Sequence, residues 1–308
     1  EWKWDGIRAQ IIYREGQKLI WSRGEELITD SFPDLHAMIA HFPDGVVLDG
    51  ELICTTAVND HTINPMPFAF LQKRLGRKKI SKTLMQQAPA AFIAYDVLEY
   101  NYEDIRPWLW KDRRTLLEKI YDHHPDTSTF KISPLLKADS WSDLEKLRQQ
   151  SREFKAEGIM LKNKESTYGH GRKKGVWLKW KIDPLTVDAV LVYAQKGHGR
   201  RADLYTNYTF ALWHEGRLVT FAKAYSGLTD AEMIEVDRFI KNNTLEKFGP
   251  VRTVKPELVF EVGFEVIQIS NRHKSGFAVR FPRMVRWRKD KKAHDADTIA
   301  QLSQLYNG

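Results

Sequence analysis

The chain has 308 residues, about twice the usual length of one domain, so we expect two packed units. Hydrophobic residues make up 42%, charged residues 29% and aromatic residues 12%, which excludes long disorder, collagen-like repeats and a fibrous coiled coil. The net charge of +8 is typical of a protein that meets polyanions.

No apolar stretch is long enough to span a membrane, and the chain does not open with a signal peptide. The missing Met at position 1 suggests that the chain was cut from a longer protein. The single cysteine, Cys54, cannot close an internal disulfide, and its place in a strand-like run favours packing over a nucleophilic role. We therefore expect a soluble, cytoplasmic protein in a reducing compartment.

The first half of the chain is predicted to mix strands and helices. Strand-like runs rich in β-branched and aromatic residues lie at 7–13, 45–53, 90–98 and 158–161. Helices are predicted to begin after a cap at Ser31 and after the capping pattern Ser140-Trp141-Ser142-Asp143. The turn signal Asp183-Pro184 predicts a domain boundary, with units at 1–183 and 184–308.

The second half is predicted to be mostly strand. Its strand-like runs lie at 186–193, 208–213, 218–222 and 258–266. Glu215-Gly216 is a predicted hairpin turn, and a capping box from Thr229 to Glu232 begins one helix. About five short strands with one inserted helix fit a small Greek-key barrel such as an OB-fold, although a β-sandwich also agrees with the pattern.

Basic residues concentrate with glycine in three short segments, at 73–79, 169–175 and 196–201. Glycine lets the backbone approach a phosphate while Lys and Arg neutralise its charge, so these segments predict phosphate contacts that do not depend on base sequence. A solvated turn is an equally good interpretation of any single segment. The chain has no P-loop, no convincing dinucleotide-binding glycine motif and no His-Glu-x-x-His zinc motif.

The most specific pattern in the chain is Lys3-x-Asp5-Gly6-x-Arg8. By average residue frequencies it would arise by chance only ~0.003 times in a chain of this length. Further short patterns follow in order: Ser22-Arg23-Gly24, Asp49-Gly50-Glu51, Tyr95-Asp96, Glu157-Gly158, Lys179-Trp180-Lys181, Arg280-Phe281-Pro282-Arg283 and Arg288-Lys289-Asp290-Lys291. This series resembles the nucleotidyltransferase motifs of ATP-dependent DNA ligases, in that family's order and across nearly the whole chain.

The resemblance extends to bacterial ligases that carry a separate N-terminal DNA-binding domain, which this chain is expected to lack. Residues 225–229, 247–252 and 270–276 resemble the barrel domain of this subgroup. The resemblance implies an α+β fold class, with a mixed α/β nucleotidyltransferase (adenylation) domain at 1–183 and an OB-fold β-barrel domain at 184–308. In this family the barrel closes over ATP and then swings to grip DNA, which makes Asp183-Pro184 the expected hinge.

A lysine attacks the α-phosphate of ATP only in its neutral form, so a catalytic Lys3 needs nearby cations. Arg8, Lys179 and Lys181 are candidates, and the last two point to one side if they lie on a strand. The resemblance adds Arg288 and Lys291 to the catalytic set. An alternative interpretation of these last two cations is that they only bind DNA phosphates.

By the same resemblance, the residues that contact ATP are Glu1, Arg8, Arg23, Glu51, Tyr95 and Lys162. Tyr95 would stack its ring on adenine, although core packing is the alternative. Glu51 and Glu157 would hold Mg²⁺ or Mn²⁺, because these cations prefer oxygen ligands. The residues expected to contact DNA are Phe68, Arg172, Lys173, Arg200, Arg201, Arg280 and Arg283.

The expected function is that of the catalytic core of an ATP-dependent DNA ligase, acting as a monomer on nicked double-stranded DNA, in repair above all. Lys3 would take AMP from ATP, pass it to the 5′-phosphate of the nick, and the 3′-hydroxyl would then displace AMP and seal the strand. An RNA ligase or RNA-capping guanylyltransferase shares the lysine motif and is the nearest alternative. A non-catalytic OB-fold DNA-binding protein is the alternative from another class.

Overall fold

The computed structural model describes residues 1–56, 63–77, 79–169, 171, 173–197, 199 and 202–307. The chain divides into two compact units, Glu1–Ile182 and Asp183–Gly308. Of the helices in the described ranges, none combines the length and the apolar character that crossing a membrane requires. Each unit has its own hydrophobic core, as expected for a chain of this length.

The first unit contains nine strands within the described residues. They are β1 (Trp2–Trp4), β2 (Ile7–Arg14), β3 (Gln17–Ser22), β4 (Val46–Cys54), β5 (Ala90–Tyr100), β6 (Glu103–Asp104), β7 (Phe130–Ile132), β8 (Ala156–Lys162) and β9 (Trp177–Lys181). Its helices are α1 (His36–Ile39), α2 (Phe68–Gln72), α3 (Lys82–Gln87), α4 (Trp110–Asp122) and α5 (Trp141–Gln150). This mixture of strands and helices agrees with the predicted α/β first half.

The strands of the first unit form two sheets. The larger has the order β3-β2-β4-β5-β6, and β7 adds to β5 in parallel; the smaller has the order β1-β8-β9. Trp2 and Trp4 are each 5% exposed and pack with Ile53 and Ile93 of the larger sheet. Because side chains alternate along a strand, burial of the two tryptophans directs Lys3 to the opposite side of β1.

The main core of the first unit lies under the larger sheet. Alternate residues of β2, such as Ala9 and Ile11, are buried there and pack with Leu117 of α4. Cys54 at the end of β4 is 2% exposed and belongs to the same core, in line with the packing role expected for it. Burial raises the pKa of the Cys54 thiol to about 11, which keeps it protonated and unreactive.

The helix predicted after Ser31 is shorter and begins later than expected. Residues Thr29–Ser31 and Pro33–Leu35 form 3-10 turns, and only His36–Ile39 is α-helical. Ser31 therefore lies in the first turn and does not cap the helix. By contrast, the Ser140 hydroxyl accepts a hydrogen bond from the backbone N–H of Asp143, which confirms the predicted N-cap of α5.

The second unit is mostly strand. Its strands are β10 (Leu185–Lys196), β11 (Tyr205–His214), β12 (Arg217–Ala224), β13 (Thr244–Phe248), β14 (Val251–Val254), β15 (Val259–Phe264), β16 (Val266–Ile269), β17 (Phe277–Arg280) and β18 (Arg283–Trp287). Two helices, α6 (Asp230–Asn242) and α7 (Ile299–Asn307), pack Val236, Ile240 and Leu302 into its core. Strand β10 pairs with β11 on one edge and with β15 and β14 on the other. One long strand shared by three neighbours curls a sheet toward a barrel.

The described part of the second unit has nine strands, so the prediction of about five was too low. The run at 258–266 holds the whole of β15 and the start of β16, because the chain bends at Glu265. Strand β13 is missed because four of its five residues are exposed, which removes the apolar alternation. Helix α6 does begin at the predicted capping box of Thr229 and Glu232, whereas α7 was not predicted.

Candidate active site

Lys3 is the middle residue of β1, an edge strand of the three-stranded sheet β1-β8-β9. Its ammonium group donates a hydrogen bond to the Glu157 carboxylate on the neighbouring strand β8. Lys181 on β9 approaches the same carboxylate oxygen at 3.2 Å, because the β8–β9 register places Gly158 opposite Lys181. Three adjacent strands therefore bring one carboxylate between two ammonium groups.

A glycine brings Glu51 of the larger sheet close to this cluster. A Cβ atom at Gly6 would lie 2.3 Å from the Leu52 carbonyl oxygen and 2.8 Å from the Glu51 side chain. Only glycine therefore permits these two segments to approach so closely. Burial raises the pKa of Glu51 to about 8, and the positive charge of Lys3 opposes that rise. The positive charge of Lys3 therefore influences the protonation of Glu51.

Arg8 is held by the carboxylate of Asp49, which is not among the predicted site residues. Its Nε and Nη2 atoms donate to the two oxygens of Asp49 at 3.1 and 2.6 Å, and Asp49 is fully buried. The Tyr168 hydroxyl donates to Asp49 at 2.8 Å and accepts from Arg8 at 2.9 Å. Burial and the Asp49 charge raise the pKa of Tyr168, so the hydroxyl keeps the proton that it donates.

The ammonium group of Lys162 lies against aromatic rings. Its ammonium nitrogen is 4.2 Å from the centre of the Trp177 ring and 4.7 Å from that of Tyr95. The same nitrogen donates to the Glu1 carboxylate at 2.8 Å, and both side chains are 4% exposed. The expected contact of Lys162 with ATP therefore stays a prediction, since its charge is already neutralised in this buried pair.

The second oxygen of the Glu1 carboxylate is buried, and the described residues supply no hydrogen bond to it. It lies 3.6 Å from Arg114 in an ion pair of looser geometry. Tyr95, whose ring centre lies 4.7 Å from the Lys162 nitrogen that binds Glu1, is half-buried, and its ring meets Trp177 edge-on with centroids 6.2 Å apart. A flat base that carries an amino group suits this arrangement. Its amino group would donate to the buried oxygen, and its face would stack on the aromatic ring.

A cavity of about 740 Å³ opens beside Arg8. Four arginines contribute to its lining, namely Arg8, Arg14, Arg23 and Arg106. A smaller cavity of about 250 Å³ shares Arg8 and Arg23 with it and also reaches Asp49. Three of these arginines are paired with carboxylates, Arg8 with Asp49, Arg14 with Glu99 and Arg106 with Asp104, so the lining carries charges of both signs. Arg23 is exposed here, and its backbone N–H donates to the Arg8 carbonyl at 3.0 Å.

Two predicted catalytic residues of the second unit converge on one acid. Arg288 and Lys291 donate to the same oxygen of Asp188, at 2.7 and 2.6 Å. Of the predicted DNA-contacting arginines, Arg280 stacks its guanidinium 4.9 Å from the centre of the Phe281 ring. Arg283 lies 3.9 Å from Glu265.

The other predicted site residues are exposed, packed against a core, or outside the described residues. Lys179 and Lys173 are exposed, and Lys179 lies on β9 two residues from Lys181, as the predicted strand requires. Phe68 is half-buried and packs against the core of the first unit, and its predicted contact with DNA stays a prediction. Three predicted DNA-binding residues lie outside the described residues, namely Arg172, Arg200 and Arg201.

The donor set around Lys3 fits a hard divalent cation held together with a phosphate ligand. Within the described residues no three His, Cys, Asp or Glu side chains are grouped to hold a metal by themselves. Mg²⁺ usually takes one or two carboxylates and completes its shell with water and substrate phosphate. Glu51 and Glu157 are two such carboxylates. A bound cation would lower the raised pKa of Glu51.

A lysine held against carboxylates in a two-sheet domain, followed by a small β-barrel unit, is the arrangement of a nucleotidyltransferase. Residues 1–181 match the sequence family described as "ATP dependent DNA ligase domain", and residues 201–291 match "ATP dependent DNA ligase C terminal region". The chain belongs to the ATP-dependent DNA ligase family.

Relatives and a solved structure agree with this. A "Probable DNA ligase" of Koribacter versatilis is 35% identical over 99% of this chain, and a "DNA ligase" of Methanoculleus marisnigri is 32% identical over 99% of it. The chain spans 55% and 54% of the length of these two relatives. A structure described as one of the "Lig E DNA ligases" has a TM-score of 0.61 at 19% identity, covering 93% of this chain and 91% of its own. It confirms the predicted fold class, an α/β domain followed by an OB-fold domain.

Proposed function

We propose that this chain is the catalytic core of an ATP-dependent DNA ligase, with the adenylation domain at 1–183 and the OB-fold domain at 184–308. The observation that carries the proposal is the position of Lys3, hydrogen-bonded to Glu157 and close to Lys181 and Glu51. A lysine on a rigid strand, with its amine fixed by a carboxylate, is oriented for attack on phosphorus.

In the first step the Lys3 ammonium group loses a proton to solvent, and the resulting neutral amine attacks the α-phosphorus of ATP. A P–N bond forms, the bond to the β-phosphate oxygen breaks, pyrophosphate leaves, and the nitrogen gives up a second proton. Tyr95 and Glu1 would hold adenine, while Arg8 and Arg23 would bind ribose or phosphate oxygens. Arg288 and Lys291 would neutralise the leaving pyrophosphate.

In the second step a 5′-phosphate oxygen of the nick attacks the AMP phosphorus and the P–N bond breaks, so lysine leaves as an amine after its nitrogen takes up a proton. In the third step the 3′-hydroxyl loses its proton and attacks the 5′-phosphorus, AMP departs and the strand is sealed. A divalent metal at Glu51 and Glu157 would spread phosphate charge when bound. The chain's own contribution is to bind, orient and neutralise.

The partner that we propose is nicked double-stranded DNA, bound by a monomer without sequence preference. The net charge of +8 supports this, since counterion release favours a cationic surface on DNA. Among the contacts we include Phe68, Lys173, Arg280 and Arg283. A chromosomal substrate would place the activity in the cytoplasm at the nucleoid, with repair of nicks as the proposed role.

The test is incubation with α-labelled ATP or GTP, followed by denaturing electrophoresis. ATP should leave an acid-labile AMP adduct, and Lys3→Ala should remove it. Lys111→Ala is the matched control, because Lys111 is exposed and pairs only at the surface with Glu165. Labelling of the Lys3→Ala variant, or better labelling by GTP, would show that the assignment is wrong.

A further inference from the structure

Asp188 is a largely buried acid at which two cations of the second unit meet. It lies on β10, and its side chain is 9% exposed. One carboxylate oxygen accepts from Arg288 Nη1 at 2.7 Å and from Lys291 Nζ at 2.6 Å. The other oxygen is buried, and the described residues supply no hydrogen bond to it. A buried carboxylate is costly unless it is paired, and here a single oxygen of Asp188 holds both cations.

The backbone around Asp188 is fixed on two sides. Its N–H donates to the Asp297 carboxylate at 2.7 Å, and its carbonyl accepts from the Asp297 N–H at 2.8 Å. Across the sheet it pairs with Glu261 of β15. The backbone position from which the Asp188 carboxylate extends is therefore fixed.

The two cations depend on Asp188 to different degrees. Arg288 is also gripped by Asp290, at 3.0 Å through Nε and 2.7 Å through Nη2, and its backbone N–H donates to the Val259 carbonyl at 2.9 Å. The Lys291 side chain is a flexible stem whose ammonium group is drawn to Asp188. The carboxylate also screens the repulsion between the two positive groups.

We infer that Asp188 is a positioning residue for self-adenylation: it holds the Lys291 ammonium group beside the Arg288 guanidinium so that both meet the leaving pyrophosphate as a pair. The inference rests on the proposed function. Preorganised charge is worth more than mobile charge in a transition state, because no ordering cost remains when the reaction occurs. Sealing of a nick that already carries AMP releases no pyrophosphate and should not need this arrangement.

The experiment compares the native chain with Asp188→Asn, which removes the charge and nearly keeps the volume. Self-adenylation should fall roughly 10- to 100-fold in kcat/KM for ATP, the loss expected when one charge-assisted hydrogen bond is misplaced. Sealing of a pre-adenylated nick should stay near the native rate. Asp188→Asn combined with Lys291→Ala should lose little more than Lys291→Ala alone, since Asp188 acts through Lys291.

Glu235→Gln is the matched control. Glu235 pairs with Lys289 at 2.7 Å, and both side chains are exposed. Lys289 lies on the same segment as Arg288 and Lys291, so removal of this pair should not change adenylation. Native adenylation by a folded Asp188→Asn variant, or equal losses in adenylation and in sealing, would overturn the inference. If Asp188→Asn does not fold, Asp188→Glu displaces the carboxylate by one methylene, and native adenylation there would overturn it too. Failure of the native chain to adenylate would instead count against the proposed function.

Discussion

The Lys3 ammonium group donates a hydrogen bond to the carboxylate of Glu157, 154 positions further along the chain. Burial alone would raise the pKa of Glu157, but the hydrogen bond from Lys3 and the charges of Lys3 and Lys181 outweigh it and lower that pKa. The carboxylate is therefore ionised wherever enzyme assays are usually run. In the proposed function it would attract a metal cation and orient the Lys3 amine.

Glu157→Gln tests this double role. The amide keeps the shape but has no charge, so we expect self-adenylation to fall roughly 100-fold or more, as when a preorganised electrostatic group is removed. The Mg²⁺ concentration that gives half-maximal rate should rise. Glu165→Gln is the control, because Glu165 forms an exposed pair with Lys111. An unchanged rate and Mg²⁺ dependence in Glu157→Gln would remove Glu157 from the site.

Tyr95 is expected to act through its ring and not through its hydroxyl. Tyr95→Phe keeps the stacking surface, so its KM for ATP should stay near the native value. Tyr95→Ala should raise KM roughly 5- to 100-fold, in line with the value of stacking one base on an aromatic side chain. A loss in Tyr95→Phe as large as that in Tyr95→Ala, measured by initial adenylation rates across ATP concentration, would show that the hydroxyl and not the ring is required.

Glu51 should make stability depend on pH. Its pKa is about 8 in the folded chain and lies near the ordinary value once the chain unfolds. The folded state thus binds the proton more tightly, so the free energy of unfolding falls as pH rises from ~4.5 to ~8, by at most roughly 1.4 kcal/mol per pH unit. Glu51→Gln has no such proton, and its Tm advantage over the native chain should grow across that range and vanish below it.

Mg²⁺ supplies a second measurement for the same residue. A cation bound at Glu51 and Glu157 favours the ionised carboxyl, so Mg²⁺ should raise the Tm of the native chain at pH 8 more than that of Glu51→Gln. Parallel pH curves for the two proteins would contradict the burial of a titrating Glu51. Identical Mg²⁺ shifts would contradict its place in the metal site.

The Asp96–Arg113 pair should be a large stability element. Both side chains are fully buried, and Arg113 binds the carboxylate through two hydrogen bonds of 2.7 and 2.8 Å. Asp96→Asn leaves the guanidinium without its counter-charge, which typically costs ~3–5 kcal/mol. Asp104→Asn, in the exposed pair with Arg106, should cost less than ~1 kcal/mol. Urea unfolding of both variants distinguishes the two cases, and equal losses would show that burial does not set the energy.

Strands with a continuous apolar run can be predicted from this sequence, and polar ones cannot. Strands β4 and β5 are buried along most of their length, so their residues read as hydrophobic stretches bounded by turns. Strand β13 holds its place through pairing with β14, with a largely polar and exposed surface. Backbone pairing of that kind leaves no periodic signal in the side chains.

The site was predictable as separate short patterns but not as a set of contacts. Lys3 is identified by its own motif, whereas the Asp49–Tyr168 bond joins residues 119 positions apart and the Asp188–Lys291 bond joins residues 103 positions apart. The position of Tyr168 beside a glycine-rich basic segment was the one available hint. Asp188 has none, because its role depends on which strands pair and in what register.

Cys54 makes the protein convenient for labelling. It is the only cysteine in the chain, and burial with a pKa of about 11 protects its thiol from maleimide reagents. Cysteines introduced at Gln149 and Asn242, exposed positions in the first and second units, would then be the reactive ones. A donor and an acceptor dye at these two positions would report the distance between the units, molecule by molecule, as ATP and then nicked DNA are added, without prior removal of any native thiol.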